Sequence, residues 1–136
     1  MLRITRKQQQ AHLARDDAFA EWYVEDFMQF NLPRFYHALS AQGKREMTIN
    51  GRHWARLHGF EDAEAQGHFI TLMWEVGADF FRHEGFRQIA ERDGDDMARI
   101  DAFYEIDPDT AATAIQNADD RYWYPVENGL TKGDAT

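Results

Sequence analysis

Residues 51–81 constrain the fold more than any other part of the chain. At about 100° per residue along a helix, the polar side chains from residue 64 to residue 79, apart from Gln66, fall on one stripe roughly 80° wide. This stripe consists of Glu64, His68, Thr71, Glu75 and Asp79. A helix with so narrow a polar stripe is usually enclosed by neighbouring helices on most sides. We therefore predict a central apolar helix at about residues 61–82, with Phe69, Met73, Val76 and Phe80 buried and Glu64 and Glu75 accessible to solvent.

Helical periodicity dominates the rest of the chain, and the alternation typical of strands is almost absent. The other helices are predicted at about residues 5–30, 34–41, 44–58, 86–92, 95–104 and 108–123. Pro33 ends the first of them, Gly59 has the position of a helix C-cap, and Asp107-Pro108 is a strong helix start. Asn50-Gly51 is a turn signal that is expected to split or bend its segment. Thr5 is expected to cap the first helix, whose apolar line ends at Phe30.

These elements predict an all-α fold. We expect a single compact domain over residues 1–124, with about five main helices around the central one, and a flexible tail at 125–136. The length of 136 residues suits one domain, and a hydrophobic content of 43% with 14% aromatics provides for a real core.

Charge and cysteine content narrow the class of partner and the compartment. The net charge of −9 comes from 24 acidic and 15 basic residues, which argues against nucleic acid and against an anionic membrane surface. The chain has no cysteine, which excludes a disulfide framework, a thiolate zinc site and a cysteine nucleophile. No segment has the apolar run of a signal peptide or a membrane span, so we expect a cytoplasmic protein.

The sequence has no recognisable catalytic motif. It lacks the Glu-x-x-His pairs of di-iron bundles and the His-Glu-x-x-His of zinc proteases, its only serine (Ser40) has no nucleophile-elbow motif, and its glycines form no phosphate loop. We therefore expect a non-enzymatic protein with no cofactor and no metal. The alternative is a small metal- or ligand-binding enzyme that uses the row of Glu64, His68, Glu75 and Asp79; such a row is otherwise the solvated face of a buried helix.

Two groups of residues are candidates for binding a protein partner. Arg45, Arg52 and Arg56 share one helix, and arginine is enriched at protein interfaces. They are otherwise exposed helix surface, paired with nearby acidic residues. The adjacent aromatics Tyr122, Trp123 and Tyr124 cannot all face one core. At least one of them is expected at a helix end or on a partner, unless the three form a C-terminal clamp that packs back on its own domain.

The chain resembles a group of small helical proteins encoded in bacterial type VI secretion effector clusters. The resemblance covers about residues 1–90 and begins with Met1-Leu2-Arg3-Ile4 followed by Gln8. Its clearest part is a glycine, alanine and aromatic pattern before the central helix and a Leu-Met-x-x-x-Gly-x-x-Phe pattern within it. The matching residues are Gly51, Ala55, Gly59, Phe60, Leu72, Met73, Gly77 and Phe80. The chain departs from the group at Leu57-His58, where an aromatic residue is usual. It departs again after Phe80, where Phe81 and residues 82–86 replace an Asp and a later Pro-Trp.

The resemblance implies an accessory role, because such genes lie beside effectors, loading adaptors and spike-tip proteins. It implies an adaptor or co-chaperone that binds an effector, or the adaptor of that effector, before secretion. The alternative in the same gene neighbourhood is an immunity protein that inhibits a cognate toxin. The resemblance supplies no catalytic residue.

Overall fold

The computed structural model of the chain describes residues 6–131, and over this range the chain is helical and has no β-strand. The prediction of an all-α fold is confirmed. The backbone groups into a first unit that ends at Ile49 and a second unit that begins at Asn50. The prediction of one domain over residues 1–124 stays a prediction. Between residues 6 and 131, no helix has the length and apolar character needed to cross a membrane.

The first unit contains short helices and a π-helical segment. These are α1 (Arg6–His12), α2 (Asp16–Trp22), the π-helical segment Tyr23–Met28, α3 (Gln29–Asn31), α4 (Pro33–Ala38) and the start of α5 (Ala41–Leu57). The prediction of one continuous first helix is wrong, because the chain turns between α1 and α2 and Arg15 is extended there. Asp16 and Asp17 then suit the positive end of a new helix. Thr5, the predicted cap, lies outside the described residues.

The π-helical segment changes which side chains face inward. Its wider turn is marked by the N–H of Gln29, which donates to the carbonyl oxygen of Val24 five residues earlier. The extra residue in a π turn rotates the following side chains away from the face that a regular helix would give them. Phe30, predicted on the apolar line, is accordingly 74% exposed, whereas Met28 is fully buried.

The second unit holds the predicted central helix. After the end of α5 come α6 (Ala63–Glu75), a 3-10 turn (Phe80–Arg82), α7 (Phe86–Glu91), α8 (Asp96–Tyr104), α9 (Pro108–Gln116) and a second 3-10 turn (Asp120–Trp123). Nine of the 13 residues of α6 are buried. The ring of Phe69 contacts the rings of Phe60, Phe80 and Phe103. The central position of α6 in this unit follows from these contacts.

The predicted side-chain positions on the central helix are mostly right. Phe69, Met73 and Phe80 are buried, as predicted. Glu64 and Glu75 are exposed, also as predicted, while Val76 is half-exposed rather than buried. Val76 lies beyond the last residue of α6, which ends at Glu75 and does not continue to residue 82. Its side chain is therefore not on the inward face of a helix.

Two glycines allow close packing in the second unit. A Cβ on Gly51 would lie 2.9 Å from Cγ1 of Ile70, so the missing side chain lets α5 approach α6. The split that Asn50-Gly51 was predicted to cause does not occur, because α5 is one continuous helix through these residues. A Cβ on Gly77 would lie 2.6 Å from Cβ of Ala118, but Gly77 follows the end of α6 and is not inside it.

The predicted helix ends are right where a local cap defines them. Gly59 has a φ of 84° and donates to Arg56, and Phe60 donates to Ala55, which together form a Schellman motif. Asp107 caps α9 by accepting from the N–H of Thr110, with Pro108 at the first helical position. The prediction that α9 reaches Trp123 is wrong.

The C-terminal segment after α9 is ordered by hydrogen bonds up to the end of the described range. Residues 125–131 form turns in which Asn128 donates to the carbonyl of Tyr124 and Leu130 donates to that of Pro125. Residues 132–136 lie outside the described part of the chain. The flexibility of the tail at 125–136 stays a prediction.

Candidate functional site

The structure separates the three predicted arginines. Arg45 and Arg56 are exposed, but Arg52 is only 2% exposed and its Nε donates to Oε1 of Gln66 at 2.8 Å. Gln66 in turn donates to the carbonyl oxygen of Phe60. Arg52 therefore belongs to a buried polar network, and the prediction that it presents an exposed binding face is wrong.

The C-terminal aromatics pack back on the second unit. Tyr122 and Trp123 are buried, and Tyr124 is half-buried. The indole N–H of Trp54 donates to the carbonyl of Tyr122 at 2.8 Å, and the ring of Trp123 lies 4.2 Å from that of Trp74 between centroids. The clamp alternative of the sequence analysis is therefore the correct one. Tyr122 and Trp123 are not exposed for a partner.

Asp79 is the most buried charged residue described in the second unit. Its carboxylate, 1% exposed, accepts from Arg82 at 3.2 Å, hydrogen-bonds Nε2 of His83 at 3.0 Å, and accepts from the N–H of Asp119 at 2.9 Å. Arg82 also lies over the ring of Tyr122. These contacts tie the 3-10 turn after α6 to the start of the C-terminal segment. They give Asp79 a structural role.

Glu64, His68 and Glu75 are the other members of the predicted row of metal ligands. Glu64 and Glu75 are exposed, and Nδ1 of His68 lies 3.0 Å from the hydroxyl of Tyr104. Tyr104 is 46% exposed, and partial burial of its phenol, together with the smaller effect of the Glu75 charge, raises the pKa of Tyr104 to about 12. The phenol is thus a neutral partner of His68 at pH 7, far from the pKa that suits a general acid. No group of three or more His, Asp or Glu residues arranged to hold a metal occurs between residues 6 and 131.

A groove in the first unit combines an apolar lining with exposed charged side chains. It runs between the end of α2 with the π-helical segment on one side and the first turns of α5 on the other, and it encloses about 290 Å³. We call it the Arg45 groove; its lining residues are Ala20, Glu21, Val24, Glu25, Ala41, Gln42, Lys44 and Arg45. Its lining is mainly apolar, with Ala20 and Val24 buried. Small side chains at these positions leave open space between two helices.

The rim of the Arg45 groove carries charges of opposite sign on its two sides. Glu21 and Glu25 stand on one side and Lys44 and Arg45 on the other. Lys44 already has a partner in Tyr36. Its ammonium donates to the carbonyl oxygen of Tyr36 and lies 3.6 Å from the centre of the Tyr36 ring. Glu25 accepts a hydrogen bond from the Tyr36 hydroxyl at 2.9 Å, and this bond raises the pKa of Tyr36.

Glu21 and Arg45 are the charged lining residues of this groove that remain available to a binding partner. Both are exposed, and within the described part of the chain neither side chain forms an ion pair or a hydrogen bond. Ser40 caps the adjoining end of α5 by accepting from the N–H of Gly43 at 2.9 Å. The positive end of the α5 dipole therefore reinforces Arg45 on its side of the groove.

A second groove shares Glu21 and Glu25 with the Arg45 groove. It encloses about 340 Å³, and we call it the acidic groove. Its lining residues are Gln9, His12, Leu13, Ala18, Glu21, Trp22, Glu25 and Asp26. Among the side chains that the structure describes, the lining includes three carboxylates and the half-buried Trp22 and no lysine or arginine. Its charge favours cationic groups.

The sequence analysis found Arg45 but missed the rest of the groove. The pair Glu21 and Glu25, one helical turn apart beside Ala20 and Val24, was a local signal of a charged edge along an apolar strip. The π turn that shapes this edge has no sequence signal of its own. Comparison of the chain with protein-family models, curated proteins and solved structures gives no match.

Proposed function

We propose that this protein is a non-enzymatic accessory protein that binds a type VI secretion effector, or the adaptor of that effector, before secretion. The observation that carries the proposal is the Arg45 groove, in which an apolar lining is bordered by the uncommitted charges of Glu21 and Arg45. Interfaces combine an apolar centre with a polar rim, and arginine is among the residues that most often dominate their binding energy.

The resemblance to small helical proteins of effector clusters supports the secretion context. Its described motif residues are packing positions of the second unit: Ala55, Phe60, Leu72, Met73 and Phe80 are all buried. They maintain a fold and leave partner recognition to surface residues outside the motif, such as those of the Arg45 groove. The first motif segment, Met1-Leu2-Arg3-Ile4, lies outside the described residues.

A second candidate function is inhibition of a cognate toxin by an immunity protein. The acidic groove favours it, because Glu21, Glu25 and Asp26 would attract a basic toxin surface. Charge complementarity of this kind speeds association and selects among partners. The net charge of −9 adds a long-range attraction of the same sign.

Gene deletion in the native host separates the two functions. In the accessory role, deletion lowers secretion of one neighbouring effector and leaves the producing cell healthy. In the inhibitor role, deletion poisons the producer, and removal of the toxin gene restores growth. Complementation with Arg45→Glu should fail to restore secretion, whereas Arg34→Glu, a charge reversal at an exposed arginine that does not line the groove, should restore it. Normal secretion and normal growth in the deletion strain would reject both functions.

A further inference from the structure

We infer that the Arg45 groove binds one amphipathic α-helix of a protein partner. That helix places an apolar side chain on the groove floor, an acidic residue beside Arg45 and a basic residue beside Glu21. The inference rests on the proposed function, because it specifies the partner segment that the accessory protein recognises.

The shape of the groove fits a helix. Two helical segments form its sides, and the buried Ala20 and Val24 keep its floor low. Helices pack with their axes about 8–10 Å apart when small side chains lie at the contact. An amphipathic helix laid into an apolar groove is a recurrent mode of peptide recognition.

The openness of the groove favours side chains of a protein partner over a bound cofactor. Small-molecule pockets bury most of their ligand. The Arg45 groove encloses about 290 Å³ and is open along the surface. One or two apolar side chains of a partner helix would fill it.

The charges specify the flanking residues of the partner. Because Lys44 is held by Tyr36, Arg45 is the basic group that can engage an incoming carboxylate. On the opposite side Glu21 has no partner among the described side chains of residues 8–131, so an incoming lysine or arginine would find an available carboxylate. A helix with the same charge on both flanks would meet repulsion at one side, which is how charged rims select partners.

Selection from a library of helix-stabilised peptides displayed on phage, with the full chain as the immobilised target, tests the inference. Enriched peptides should carry an apolar residue with an acidic residue on one flank and a basic residue on the other. Peptides selected on the wild type should bind Arg45→Glu at least about tenfold more weakly, since charge pairs at interfaces contribute about 1.5 kcal/mol or more. Selection repeated on Arg45→Glu should replace the acidic preference with a basic one.

Two further variants locate the binding surface. Ala41→Phe places a ring in the groove from an exposed position at the start of α5. This variant should no longer bind the selected peptides. Arg34→Glu should bind the selected peptides as the wild type does. Circular dichroism and chemical denaturation confirm that each variant is folded, so a loss of binding is not mistaken for unfolding.

Three results would overturn the inference. The enriched peptides could lack the two opposite charges, or they could bind Arg45→Glu as tightly as the wild type. The third result is self-association of the chain that Arg45→Glu abolishes, because the occupant of the groove would then be a second copy of this chain. The proposed function is judged separately by the deletion strain. If the selected peptides carry the two opposite charges but effector delivery is normal after deletion, the proposed function is rejected and the inference stands. If delivery falls after deletion but the selected peptides bind independently of Arg45, the inference is rejected and the proposed function stands.

Discussion

Trp54 and Tyr122, 68 residues apart in the chain, are joined by a hydrogen bond from the indole Nε1 to the backbone carbonyl oxygen at 2.8 Å. The two rings also lie 5.6 Å apart between centroids. Asn50, one turn earlier on α5, donates in the same way to the carbonyl of Trp123. The second 3-10 turn is thus held by side chains of α5, because a 3-10 turn of only four residues leaves carbonyl groups that its own backbone cannot satisfy.

Trp54→Phe should therefore destabilise the protein by about 1–3 kcal/mol, because it leaves the buried carbonyl of Tyr122 without its donor. Chemical denaturation monitored by circular dichroism measures this change. His53→Gln, at the exposed neighbouring position, is the control and should change the free energy of unfolding by less than about 0.5 kcal/mol. Equal stabilities of Trp54→Phe and wild type would show that this hydrogen bond is not formed.

Met73→Ala should cost about 2–5 kcal/mol, as large-to-small changes in a core do. Met73 is 1% exposed and lies on the inward face of α6, where its sulfur would be 3.1 Å from a Cβ on Gly51. Glu75→Ala on the exposed side of the same helix should have little effect. A loss below about 1 kcal/mol for Met73→Ala in urea denaturation would contradict the position of α6.

Arg52→Ala should destabilise the protein by about 1–3 kcal/mol, whereas Arg56→Ala should change its stability by less than about 0.5 kcal/mol. The first substitution leaves Oε1 of the buried Gln66 without its donor, and the second removes an exposed side chain. Thermal and chemical unfolding of the two variants side by side give the comparison. Similar losses would mean that Arg52 is not buried as described.

Raising the pH above 10 should destabilise the protein in part through Tyr104. Its pKa is raised from 10 to about 12 in the folded chain, so the unfolded chain releases the phenolic proton first and becomes favoured as the pH increases. The stabilisation is complete below pH 10 and is lost as the pH rises towards 12. The free energy of unfolding should fall less steeply between pH 10 and 11 in Tyr104→Phe than in the wild type.

NMR titration of the tyrosine ring signals provides the direct measurement for Tyr104. Its signal should have a midpoint near 12, and Glu75→Gln should lower that midpoint by removing the neighbouring negative charge. A midpoint near 10 in the wild type would refute the proposed environment of the phenol.

Features that depend on neighbouring residues were predictable from the sequence. The Schellman motif at Gly59 and the cap at Asp107-Pro108 are formed by hydrogen bonds that span five residues or fewer. The burial of Phe69, Met73 and Phe80 follows from a hydrophobic pattern too extensive for any exposed helix. The sequence therefore determined the all-α class, several helix ends and the central helix of the second unit.

Features that depend on distant partners were decided by the tertiary structure alone. The sequence pattern indicates a surface position for Arg52, but in the structure Gln66 on another helix accepts its hydrogen bond. The pattern indicates a turn at Gly51, but in the structure Ile70 occupies the space beside it. The π turn after Trp22 moves Phe30 outward through one extra residue that no local pattern reveals. The Arg45 groove belongs to this second class: Arg45 was predicted from its residue type, but the space beside it exists only because two helices meet over small side chains.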